Sequence, residues 1–316
     1  MPCFSVVIPV FNEQENIAEL YGRVSAALKN FGGDDEVIFV DDGSTDGTRR
    51  MLDDLHRSNQ GRVKVIGLSR NFGHQAAITA GLKMASGDAV VTMDGDLQHP
   101  PEAIGQFVAK WNEGYEVVTG VRQNTQGQGF WKEINGRAAY WLISCLGGIH
   151  LPFGAADFRL IDRKVLEYIQ RLEERHLFLR GLIPWLGFKQ TTLEYTVAPR
   201  RHGRPKYTLA RQINLALDGL ISFSIYPLRL AIILGLAISA AGFCYACYAL
   251  YTHFFSGRTV TGWTSLLVGV LLMGGVQLIV LGIMGEYLGR VYEEVKRRPS
   301  YVVERLLGFK SGGANS

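Results

Sequence analysis

From Phe4 to Val121 the chain alternates between short, continuous apolar runs and longer stretches whose apolar residues recur at helical spacing. Phe4–Val10, Glu36–Val40, Val63–Leu68, Ala89–Met93 and Glu116–Val121 are each too short for a helix and rich in β-branched residues, which predicts buried strands. The intervening segments predict helices. Asn12 is placed as the N-cap of the first, with Glu13 and Glu15 in its opening turn and its end near Asn30. Strands alternating with helices of this length predict an α/β fold with a doubly wound, mostly parallel sheet. Ligands of such sheets bind beyond the carboxyl ends of the strands. The polar stretches after Val10, Val40, Leu68 and Met93 all fall on that edge.

Past Gln123 the pattern loosens. A helix is predicted from Phe130 to Leu146, a strand from Asp157 to Asp162 passing into a helix at Arg163, a helix from His176 to Leu186 and a strand from Lys189 to Val197. Pro199–Tyr207 is a basic loop. Thr208–Phe223 carries apolar residues at helical spacing and predicts a helix lying in a membrane interface. No Asp, Glu, Lys or Arg occurs from Leu230 to Thr252, or from Thr259 to Gly285. Roughly 20 apolar residues cross a bilayer as a helix, so both segments are expected to span one. The expected organisation is a catalytic domain over residues 1–207, an interfacial helix over 208–226, transmembrane helices over 227–254 and 259–285, and a C-terminal helix and tail over 286–316.

The net charge of +4 says less than its placement. Arg200, Arg201, Arg204, Lys206, Arg211 and Arg229 precede the first span, and Arg290, Lys296, Arg297, Arg298, Arg305 and Lys310 follow the second. The loop between the spans holds only Arg258. Basic flanks mark the cytoplasmic side, so both termini are expected there, and a bacterial inner membrane is the expected location. Met1–Val10 leads straight into a strand, with no secretory signal pattern. Cys244 and Cys247 have CxxC spacing but sit inside an apolar span, where packing is the expected role. No disulfide framework is implied, and no nucleic-acid partner is expected.

The chemistry concentrates where the fourth strand should end. Residues two apart on a strand point the same way, so Asp94 and Asp96 can face one point, with Gly95 leaving the backbone free to turn. Paired carboxylates repel unless a cation lies between them, and oxygen ligands suit Mg²⁺ or Mn²⁺. A dinucleotide-binding domain would carry G-x-G-x-x-G directly after the first strand. The turn here, Pro9-Val-Phe-Asn-Glu13, has no glycine, which argues against NAD or FAD.

Together, Val7-Ile-Pro-Val-Phe-Asn-Glu13, Val40-Asp-Asp-Gly-Ser-Thr-Asp-Gly-Thr48 and Met93-Asp-Gly-Asp-Leu-Gln-His99 resemble the family 2 glycosyltransferases, which have the GT-A fold. Asp157-Phe-Arg-Leu160 and Arg204-Pro-Lys-Tyr207, ahead of two apolar spans, look like the polyprenyl-phosphate branch of dolichyl-phosphate mannose synthases and bactoprenol glucosyltransferases. The resemblance implies that Pro9, Phe11, Glu13, Asp41 and Asp42 line the nucleotide pocket. It also implies that Asp94 and Asp96 hold a metal at the donor diphosphate, with Gln98 as a third ligand and Gly95 beside the nucleotide. His99 is expected to be structural. Ser69 and Arg70 lie on the same edge, where Arg70 can pair with a diphosphate. Asp42 has a second reading, as an Asx-turn that caps the next helix.

In this branch the nucleophile is a lipid phosphate, whose second pKa is near 6, so no strong base is needed. Positioning cations are needed instead, because acceptor and donor are both anionic. The candidates are Arg122, Lys132, Arg137, Arg201, Arg204 and Lys206; the last three would in any case feel anionic headgroups. The resemblance places Asp157 against the sugar, orienting it, with a role as base second. The expected activity is inverting transfer of a hexose, with UDP-glucose the preferred donor, to polyprenyl phosphate. Mannose or aminoarabinose donors, a processive polysaccharide synthase and a non-enzymatic nucleotide-sugar sensor are the alternatives. Processive enzymes carry a Gln-x-x-Arg-Trp element, which His176–Trp185 does not match. Gly269, Gly274 and Gly275 would allow close helix packing and hence a homo-oligomer.

Overall fold

Strand β1 (Phe4–Val10) is buried along its whole length, as a central strand covered on both faces must be. It pairs in parallel with β2 (Glu36–Asp41) on one side and with β4 (Ala89–Thr92) on the other. The computed structural model describes residues 2–29, 31–123, 154–172, 174, 178–196, 225–256 and 262–309. Among them the eight-stranded sheet has the order β7-β5-β6-β4-β1-β2-β3-β8, with β3 at Val63–Leu68, β5 at Val117–Arg122, β6 at Ala155–Asp162, β7 at Gln190–Tyr195 and β8 at Val303–Leu307. Helices α1 (Ile17–Leu28), α2 (Thr48–Ser58), α3 (His74–Met84) and α4 (Ile104–Asn112) cross between the parallel strands. Further along are α5 (Arg163–Arg171) and α6 (Leu179–Trp185). The core is built on Phe4, Phe39, Phe107 and Phe158, all fully buried. Helix α3 reaches the sheet so closely that a methyl on Gly81 would collide with Val7.

The chain divides into two units, Met1–Gly219 with Pro299–Ser316, and Leu220–Arg298. The second contains α7 (Tyr226–Ser256) and α8 (Trp263–Val295). Within them Leu228–Ala249 and Val268–Val295 are long and apolar enough to cross a membrane, each with a mean hydropathy of 2.2. Their side chains, among them Leu236, Phe243 and Leu278, are largely exposed, an exposure suited to lipid rather than water.

The predicted strands are found nearly residue for residue, but three local expectations change. Asn12 does not cap α1, which begins at Ile17 with Asn16 at its N-cap. Asn12 instead adopts the left-handed conformation, φ 56°; there its N–H donates to Ser44 Oγ at 3.0 Å and its side-chain oxygen accepts from Thr45 N–H at 2.8 Å. A carboxamide tolerates that conformation, and two loops are thereby locked together. The expected helix His176–Leu186 is described only from Leu179 to Trp185. The expected C-terminal helix ends at Val295, and the chain then returns as β8, antiparallel to β3. That strand leaves no local trace because its partner lies far away in sequence. The predicted helix Phe130–Leu146, the basic loop and the interfacial helix lie outside the described residues, as do Lys132, Arg137, Arg201, Arg204 and Lys206.

Candidate active site

Strand β6 runs antiparallel to β4, with Ala89 opposite Asp162 and Thr92 opposite Arg159. Asp94 lies in the turn two residues past Thr92, and Asp157 two residues before Arg159, so the pairing brings both sequence-distant carboxylates to one end of β4 and β6. Thr92 Oγ1 fastens the junction by donating to the Asp157 carbonyl at 2.6 Å. Both side chains then meet His74, the first residue of α3, whose Nε2 lies 3.2 Å from Asp94 Oδ1 and 3.4 Å from Asp157 Oδ2.

Asp157 is only 3% exposed, and a buried carboxylate needs partners. Arg180 on α6 grips it with two bonds, Nε to Oδ1 at 3.1 Å and Nη2 to Oδ2 at 2.7 Å. Gln75 Nε2 donates at 3.3 Å and Arg159 Nη2 at 3.4 Å. Burial opposes the charge, but Arg180, His74 and Arg159 outweigh it and hold the carboxyl well below its usual range. Burial likewise works against the Asp94 charge, yet His99 and His74 bring it down to about 2. The His74 imidazole, disfavoured as a cation by burial, is pushed up to about 10 by Asp157 and Asp94.

His99 has the structural role expected of it. Fully buried, it stacks on Phe158 at 5.0 Å between ring centroids and meets Tyr195 edge-on. Its Nδ1 accepts the Asp94 N–H at 3.0 Å, which puts the proton of a neutral ring on Nε2. Burial lowers its pKa, while the neighbouring Asp94 carboxylate opposes that shift.

Asp94 and Asp96 lie past the end of β4, in a turn where Leu97 has φ 61°, so strand alternation does not orient them. Gly95 packs against the end of β1, where a methyl would fall 2.8 Å from Val10. Asp96 Oδ1 accepts the Gln98 N–H at 3.2 Å. No group of three or more His, Cys, Asp or Glu ready to hold a metal occurs among the described residues. The two carboxylates nevertheless fit a hard divalent cation. Asp94 Oδ1 is buried and faces the His74 imidazole at 3.2 Å; a carboxylate has further lone pairs for a cation, and Mg²⁺ or Mn²⁺ normally completes such a shell with water and substrate phosphates.

The expected nucleotide residues occupy one edge but differ in what they do. Pro9 and Asp41 are buried at the ends of β1 and β2, and Phe11 and Glu13 are half-buried in the following loop. Glu13 accepts from Asn16 Nδ2 at 2.6 Å, and its N–H donates to Thr48 Oγ1 at 2.9 Å. Asp41 Oδ1 takes the Ser44 N–H at 3.0 Å. The Asp42 oxygens receive the N–H groups of Phe72 at 2.7 Å and Gly73 at 2.9 Å. Asp42 therefore anchors the loop that delivers His74, and its alternative reading as a cap on α2 does not apply. Ser69 and Arg70 are exposed, and Arg70 folds back over the Phe72 ring at 4.1 Å. Arg122 is exposed at the end of β5, level with Tyr195 of β7.

Sequence reasoning missed His74, Gln75 and Arg180. Arg180 did leave a signal, as a lone cation in the otherwise apolar Leu177–Trp185. Such a residue on a packed helix needs a buried anion. His74 opens a helix just beyond Ser69 and Arg70, on the edge already singled out.

A sequence profile described as Glycosyl transferase family 2 matches residues 5–170. An uncharacterized glycosyltransferase, YkcC, of Bacillus subtilis (strain 168) is 44% identical over 308 residues, covering 98% of this chain and 95% of the relative. The prophage bactoprenol glucosyl transferase homolog of Escherichia coli (strain K12) is 37% identical over 302 residues, covering 96% and 98%. Among solved structures, glucosyl-3-phosphoglycerate synthase from Mycobacterium tuberculosis with Mn²⁺, uridine diphosphate and phosphoglyceric acid aligns at 21% identity and a TM-score of 0.46, over 70% of this chain and 78% of that one.

Proposed function

The chain belongs to glycosyl transferase family 2 and is a glycosyltransferase; on that premise we propose that it transfers glucose from UDP-glucose to the phosphate of undecaprenol or a related polyprenol. The observation that carries this reading is the convergence of Asp94 and the arginine-clamped Asp157 on His74, in a chain that continues into two long apolar helices. Relatives named bactoprenol glucosyl transferase, 37–38% identical over nearly the whole chain, support the choice of sugar and lipid.

The reaction is a single displacement. An acceptor phosphate oxygen forms a bond to the anomeric carbon while the bond from that carbon to the donor diphosphate breaks, and the electron pair leaves with the nucleoside diphosphate. The sugar inverts. With a second pKa of about 6, the acceptor is already anionic at neutral pH, so no residue has to remove a proton from it. Asp157 suits that requirement: ionised and clamped, it is a poor base and a fixed acceptor for sugar hydroxyls. A divalent cation held by Asp94 and Asp96 would neutralise charge on the departing diphosphate. Asp41, with Pro9, Phe11 and Glu13, would line the base and ribose pocket. Arg122, together with Lys132, Arg137, Arg201, Arg204 and Lys206, would draw the acceptor phosphate into line against the donor's charge. Both termini would face the cytoplasm of a bacterial inner membrane, as the basic flanks imply.

The test is transfer of labelled glucose into organic-extractable lipid by the purified protein in nanodiscs with undecaprenyl phosphate. UDP-glucose should outperform GDP-mannose and UDP-aminoarabinose. Label in lipid from another donor alone would overturn the sugar assignment, and polymeric product would favour a processive synthase.

A further inference from the structure

Strand β8 does more than close the sheet. The Ser69 N–H donates to the Val302 carbonyl at 3.0 Å, so the loop after β3 is held by the C-terminal segment. Three residues on, the Arg305 side chain crosses Gly67 so closely that a methyl there would fall 2.6 Å from its Cγ. Gly67 pairs with Asp41 in the parallel ladder, and this bare position lets Arg305 reach past β3 toward β2. Arg305 Nη1 bonds to Asp53 of α2, and Nη2 faces Asp41 Oδ2 at 3.9 Å. Its Nε and Nη2 are buried without hydrogen bonds. Unmatched buried donors are costly, and they are retained here beside a carboxylate with one oxygen already fixed by Ser44.

We propose that Arg305 is a positioning residue of the nucleotide pocket: anchored on Asp53, it holds Asp41 turned to accept the imino N–H of a uracil base. This rests on the assignment of a uridine donor made above. Uracil presents that single N–H between two carbonyls, so a carboxylate must be held in one orientation to meet it. Asp41 cannot set that orientation alone, because Ser44 fixes only one of its oxygens. The C-terminal segment thus joins the donor site at two points, the Ser69 amide and the Asp41 carboxylate.

The experiment is UDP binding by calorimetry to the full-length protein in nanodiscs, with donor KM and kcat measured alongside. Arg305→Ala should weaken UDP binding and raise KM about tenfold while kcat changes less than twofold. Arg305→Lys should recover part of the loss. Glu304→Gln, on the same strand but paired outward with Arg49 at 3.2 Å, should bind like wild type. In an Asp41→Asn background, Arg305→Ala should cost nothing further, because both changes remove one interaction. Additive losses, or equal losses in Arg305→Ala and Glu304→Gln, would overturn the proposal. The series is run with UDP, GDP and dTDP. Tight binding of GDP alone by the wild type would reject the uridine donor, and the double-mutant comparison on that nucleotide would still judge Arg305's action through Asp41.

Discussion

Arg180 holds Asp157 side-on, with both guanidinium bonds at 3.1 Å or less and the carboxylate almost wholly buried. Removing one partner of a buried ion pair costs about 3–5 kcal/mol, because the other charge is stranded. Arg180→Ala should therefore lower stability by about 3 kcal/mol and lower kcat as well. Adding Asp157→Asn should restore part of the stability but none of the activity. Denaturant midpoints and transfer rates for the single and double variants decide this. An Arg180→Ala protein as stable as wild type would show that the clamp is not needed.

Asp94→Ala should abolish transfer while the protein stays folded. On the proposed reading this carboxylate holds the cation, and the turn is independently secured by His99 and by Gly95 against β1. Mn²⁺ affinity, read by electron paramagnetic resonance, should fall with it, and chelation should silence the wild type reversibly. Full turnover in the variant would remove the metal from this position.

Gly43 sits at φ +70°, and a methyl on it would overlap the backbone of Arg70. Gly43→Ala should cost roughly 2 kcal/mol through backbone strain and raise the donor KM, since it wedges apart the loops after β2 and β3. Thermal unfolding and steady-state kinetics measure the two effects separately.

The pH dependence follows from the signs of the shifts. Asp94, lowered to about 2, and Asp157, held well below its ordinary range, contribute stability that is present above the ordinary carboxylate pKa of about 4 and lost as pH falls through the depressed values. His74, raised to about 10, contributes fully below its ordinary pKa near 6.5 and loses that contribution as pH climbs through about 10. In chelator, the difference in Tm between wild type and His74→Gln should be greatest from pH 5 to about 6.5 and vanish above about 10. A constant difference would refute the ionic bridge.

Because Asp157 is ionised well below neutrality, the acid limb of the transfer rate should belong to the acceptor. It should lie near the phosphate's second pKa of about 6. Exchanging the acceptor for a phosphonate analogue of different pKa should move the limb by the same amount. A limb that stays put would return the base role to Asp157.

What could be read from the sequence followed local periodicity. β1 and β3 appear at the predicted residues because an uninterrupted apolar run has few other uses. Asp94 stood out because it follows such a run, and Asp157 only through the resemblance. What stayed hidden depends on partners far along the chain. Asn12 has the composition of a helix cap, but the Ser44–Thr45 loop takes both of its polar groups. Asp42 looks like a turn residue until the amides of Phe72 and Gly73 arrive from the loop after β3. Val303–Leu307, with Glu304 and Arg305 in five residues, has no strand signature of its own and becomes one through pairing with β3.

That last strand also sets an order of assembly. A ribosome makes β3 early and β8 only after both apolar helices have emerged, so the open margin of β3 waits through most of synthesis with its amides unpaired. An exposed margin of this kind recruits foreign strands, and the hazard ends only when Val303–Leu307 arrives. Chains stalled between the helices and the last strand should therefore be the species that clump or are degraded, and finished molecules should be the ones that persist.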